Sequence, residues 1–94
     1  MLRLPERLTL DEATATMRML GQALRREEGA VVVADASGLQ RFDSAALAVL
    51  LECRRLAEAG GKGFAVRRPP PKLLDLARLY GVDAALPAEA PAAG

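Results

Sequence analysis

The sequence predicts an α/β fold, with one small mixed β-sheet and helices packed against it. Three observations carry that expectation. The run Ala30 to Ala36 is too short for a buried helix and too apolar for a sheet edge. Helical periodicity flanks it on both sides, over Leu10 to Leu24 and Ala45 to Ala59. Gly63 to Arg67 is a further strand-like run, stopped by Pro69-Pro70-Pro71. Strands and helices alternating in this order argue a layered α/β unit with right-handed crossovers.

Each element has its own signal. Met1 to Leu4 reads as a short edge strand, and Pro5-Glu6-Arg7 as a turn. Thr9 begins the first helix: Thr9 and Glu12 have capping-box spacing, and Asp11 suits the positive helix end. Leu10, Ala13, Met17, Leu20 and Leu24 then share a face, opposite Arg18, Gln22 and Arg25, and Gly29 ends the helix. Ala30 to Ala36 is the central strand, expected to be covered on both faces. Gln40-Arg41 is a turn. The second helix runs from about Ala45 to Ala59 and stops at Gly60-Gly61. A proline suits the first turn of the third helix, Lys72 to Tyr80, with Gly81 just past its end. Residues 1–87 form one domain, and the Pro- and Ala-rich residues 88–94 are expected to be a flexible tail.

Composition narrows the function. With 94 residues the chain has room for one core and no large enclosed active site. Thirteen basic and twelve acidic side chains nearly cancel, so no global field favours nucleic acid or an anionic membrane. Phe42, Phe64 and Tyr80 are the only aromatics, too few for base-stacking platforms. Histidine is absent and Cys53 is the only cysteine, which excludes an intrachain disulfide and a thiolate or imidazole metal site. No apolar run is long enough to cross a membrane. A cytoplasmic protein without cofactor or metal is expected, and no catalytic residues are assigned. Cys53 falls on the core stripe, Asp35 caps the turn after the central strand, and Gly60-Gly61-Lys62-Gly63 lacks the Walker pattern and is a turn.

The second helix carries more apolar surface than one core contact needs. Ala46, Val49, Leu50, Cys53, Leu56 and Ala57 fill an arc of about 120°. Leu47 and Leu51 fall outside it, among charges. The outer face therefore reads Ser44, Leu47, Ala48, Leu51, Arg54, Arg55, Glu58. Another helix or the N-terminal strand covering these leucines is the plain explanation; a docking face is the sharper one. Ser44 itself has three readings. It is an N-cap, a role Asp43 could take instead. It is a phosphate acceptor at a helix N-terminus. As a nucleophile it fails, because no histidine exists to act as its base.

The run VVVADASGLQRFDSAALAVLL, Val31 to Leu51, resembles the signature of STAS domains, the fold of bacterial anti-sigma factor antagonists. The quoted features are Asp35, Ser37 and Gly38 after the central strand, then the Asp43-Ser44 pair at the helix start. The resemblance implies a single STAS-type domain and carries the family's phosphorylation position to Ser44. The ending PPPKLLDLARLYGVDAALP is similar to the MlaB branch, the small subunit of phospholipid-transporting ABC complexes. That branch implies a non-enzymatic subunit, membrane-associated through its complex, that binds and supports the ABC transporter ATPase subunit. The implied contact is Asp43, Ser44, Leu47, Ala48, Leu51, Arg54 and Arg55. The alternative is an antagonist that binds an anti-sigma factor kinase and is switched by phosphorylation at Ser44. The family often has glycine two residues after the hydroxyl; here Ala46 stands there, and its methyl is expected to alter a partner's approach.

Overall fold

The computed structural model describes residues 1–89. Its elements in chain order are β1 (Leu2–Arg3), β2 (Arg7–Leu8), α1 (Leu10–Arg25), β3 (Val31–Asp35), β4 (Arg41–Phe42), α2 (Ala45–Ala59), β5 (Gly63–Arg67), α3 (Pro71–Leu79) and a 3₁₀ turn, Asp83–Ala85. One sheet has the order β1-β3-β5 and a second pairs β2 with β4. The α/β class is as expected, but the sheet is not mixed: every strand pairing among the described residues is parallel. The reason lies in the connections. The path from β1 to β3 passes through α1 and the path from β3 to β5 through α2, and such crossovers return the chain in the same direction.

The core lies between the sheet and the helix layer. Leu2, Val32, Ala34, Phe64 and Val66 supply the sheet's inner face, and Leu20, Leu24, Ala46, Leu50, Cys53 and Ala57 supply the helices. Leu73 and Ala77 of α3 close one end, lining a small cavity with Leu50, Val66 and Leu86. α1 and α2 pack on each other as well as on the strands.

Five details depart from expectation. The central strand is covered on one face only: Val32 and Ala34 are buried while Val31 is 53% exposed. Arg7 and Arg41 belong to strands, because β2 and β4 pair in the register Arg7↔Arg41 and Leu8↔Phe42. α1 ends at Arg25, not Gly29. Residues beyond it are taken up in reaching β3, where the Glu27 carbonyl accepts a bond from the Lys62 ammonium and the Glu27 carboxylate meets the terminal amine. Leu10 leaves the core face at the first turn of α1 and is 77% exposed. Finally, Ala88 and Glu89 of the expected tail are held: Ala88 bridges Val66, and the Glu89 N–H donates to the Val66 carbonyl at 2.8 Å. The rest of that expected tail, residues 90–94, lies outside the described residues.

Candidate functional site

Two parallel strand-to-helix junctions sit side by side. β2 feeds α1 through Thr9, and β4 feeds α2 through Asp43 and Ser44. Their pairing brings both helix N-termini to one place, where unsatisfied backbone N–H groups concentrate. Asp43 satisfies one from each helix. Its Oδ1 accepts from the Ala45 N–H at 2.8 Å, and its Oδ2 accepts from the Leu10 N–H at 3.2 Å. One carboxylate thereby caps α2 and ties α1 to it, favoured by both helix dipoles.

Ser44 is left without a capping role. Its backbone is already helical, at φ −62° and ψ −16°, and its hydroxyl makes no cap hydrogen bond. The side chain is exposed at the surface. Of its three sequence readings, the capping one belongs to Asp43. Asp43, the carboxylate beside it in sequence, is committed to two backbone amides.

The neighbouring α1 junction is built differently. Glu12 reaches back, and its Oε1 accepts from the Thr9 N–H at 2.9 Å and from the Thr9 hydroxyl at 2.7 Å. The Arg7 Nε stands 3.2 Å from the other Glu12 oxygen. The Thr9 hydroxyl, the Thr9 amide and Arg7 together hold the Glu12 carboxyl below the usual glutamate range.

The predicted partner-binding residues divide on placement. Ala48 and Arg55 are exposed, and Leu51 and Arg54 are half-buried, on the same side of α2 as Ser44. Both arginines are engaged along the helix, Arg54 with Glu58 at 3.4 Å and Arg55 with Glu52. Leu47 is different: it is 3% exposed and part of the core. The buried residues of α2 run from Ala45 around to Leu47, an arc of about 200° at 100° per residue. A single 120° stripe underestimates that arc because α2 packs on α1 as well as on the sheet, so more than one side of it is covered. Ala46 is fully buried as well, so its methyl faces the core and does not meet an approaching partner.

Sequence reasoning missed Leu10. Helical periodicity assigned it to the core, yet it is the first residue of α1, where the side chain leans back past the helix end. Its N–H donates to the carboxylate of Asp43, the residue next to Ser44 in sequence. A separate open groove between α1 and α2 is lined by Ala13, Thr14, Met17, Arg18, Ala48, Val49, Glu52 and Leu56.

Nucleophilic and metal chemistry find little support elsewhere. Burial pushes the Cys53 thiol up to about 11, with Glu52 adding to the effect, so the thiolate is scarce at neutral pH. Among the described residues no cluster of His, Cys, Asp or Glu is arranged to hold a metal ion, and no helix is long and apolar enough to cross a membrane. Asp35 caps its turn as expected, accepting from the Ser37 N–H at 2.9 Å. The family model described as "Mlab, STAS domain" matches residues 1–88. No curated protein matches the chain.

Proposed function

Because the chain belongs to the STAS-domain family, in its MlaB-like branch, we propose that it is a non-enzymatic accessory subunit of a phospholipid-transporting ABC complex. Domains of this family are accessory or antagonist-like and generally non-catalytic. In this reading the chain binds the complex's cytoplasmic ATPase subunit and supports its assembly or activity. The docking face is Ser44, Leu10, Ala48 and Leu51, rimmed by Arg54 and Arg55. One observation carries it: Asp43 caps both helices, while Ser44 next to it makes no cap bond and Leu10, whose amide Asp43 holds, is exposed. Burying Leu10 against a partner contributes roughly 1.5–3 kcal/mol before the cost of association.

Co-expression with a candidate ABC ATPase subunit from the same genome tests this reading. A stable complex is expected, broken by Leu10→Asp and by Leu51→Asp but not by Leu79→Asp on α3. An intact complex with Leu10→Asp removes this face; no complex with the wild-type chain removes the ATPase.

The free Ser44 hydroxyl also supports a second reading, an antagonist of an anti-sigma kinase switched by phosphorylation. A phosphoserine there brings about −1.5 to −2 charges to a helix N-terminus, opposed by Asp43. Incubation with the cognate kinase and ATP, followed by intact mass measurement, should then add one phosphate to wild type and none to Ser44→Ala.

A further inference from the structure

The outer face of the β1-β3-β5 sheet bears no helix among the described residues. Parallel register places side chains of equal height on that face in rows. Arg3 pairs with Asp35, and Asp35 with Arg67. Glu89, one residue beyond the Val66↔Ala88 bridge, extends the row, its carboxylate taking the Arg67 Nε at 2.7 Å and the other guanidinium end at 2.8 Å. The row reads plus, minus, plus, minus across four adjacent chain segments. Below it lies an apolar patch of Val31, Val33 and Ala65, with Met1 beside it against Arg67. Val31 is 53% and Met1 46% exposed.

An alternating row of four charges is its own complement. Rotating a copy by a half-turn about an axis parallel to the strands reverses the row. Arg3 then faces Glu89 of the copy and Asp35 faces Arg67 of the copy, and the same holds in return. All four contacts join opposite charges, while Val33 faces Ala65. We propose that this face is the interface of a two-fold dimer of the chain, two sheets stacked with their strands aligned. Aligned sheets pack about 10 Å apart at about 30°, within reach of arginine and glutamate side chains. A second copy suits the face better than an unrelated protein because the complementarity is built into one surface. The patch is small, about 300 Å² per copy from strand spacing and rise, against about 800 Å² for a standard interface. The dimer is therefore weak and concentration-dependent. It leaves α1, α2 and Ser44 facing outward, so it stands or falls apart from the reading of the Ser44 face.

Sedimentation of the full chain across a wide concentration range tests it. Wild type should self-associate. Arg3→Glu and Glu89→Arg should each weaken association about tenfold, since symmetry makes every such change two like-charge contacts. Mixing the two variants should restore it, because in the mixed pair both end contacts of the row again join opposite charges. Val31→Lys should weaken association in the same way if either charge variant fails to fold. Wild type monomeric at every concentration overturns the proposal. So does a mixture no stronger than its components. So does a monomer whose Val31 and Val33 amide signals move only when residues 90–94 are removed, which assigns the face to the chain's own end.

Discussion

At the scale of single residues, Asp43 and Ser44 are neighbours with separable duties. Asp43 accepts from two backbone amides on two helices. Asp43→Ala orphans both and should cost about 1–2 kcal/mol. Ser44→Ala removes a hydroxyl with no cap bond and should change stability by less than about 0.5 kcal/mol. Urea denaturation of the two variants checks this, and equal losses would return the capping role to Ser44. Composition could not make the distinction, because Asp and Ser are both good N-caps. It follows from the β2-β4 pairing, which sets the Leu10 amide beside Asp43. Ser44 as a surface hydroxyl was legible from the Asp-Ser junction; the exposure of Leu10 was not, since its assignment depends on where the helix starts relative to the sheet.

At the scale of elements, long periodic segments were readable and short ones were not. α2 and β5 have the predicted bounds, because each has a clear apolar pattern ending at glycine or proline. β2 and β4 have two residues each, and no periodicity exists in two residues. Those two strands nonetheless bring the helix N-termini together. The helical wheel likewise identified the inner stripe of α2 but put Leu47 outside it, since a wheel does not reveal a second neighbouring helix. Leu47→Ala should therefore cost about 2–4 kcal/mol as a core truncation. Leu51→Ala, half-buried on the same helix, should cost clearly less. Comparing the two denaturation midpoints decides the matter: a smaller loss at Leu47 would mean that it faces solvent.

At the scale of the whole molecule, the titrating groups set a stability profile with two edges and a flat middle. Glu12, Asp35, Glu52 and Glu89 all lie below their ordinary values, each chiefly through a hydrogen bond: from Thr9, the Ser37 amide, Arg55 and Arg67 respectively. A carboxyl lowered by folding stabilises the native state above its unfolded pKa, about 3.9–4.3 here. That contribution disappears as pH falls through the lower folded values. Cys53 behaves in the opposite sense. Burial raises its pKa to about 11, against about 8.5 for a free thiol. Its contribution is complete below the unfolded value and is lost as pH climbs toward 11. With no histidine in the chain, no side chain with an unperturbed pKa titrates between the two edges. The urea midpoint should be level from about pH 5 to about pH 8, falling on both sides. Cys53→Ala should lower the plateau, because it empties buried volume, and flatten the fall between about pH 8.5 and about 11, bounds set by the free and the buried thiol. An alkaline edge equally steep in Cys53→Ala would assign that edge to other groups and deny the thiol its burial.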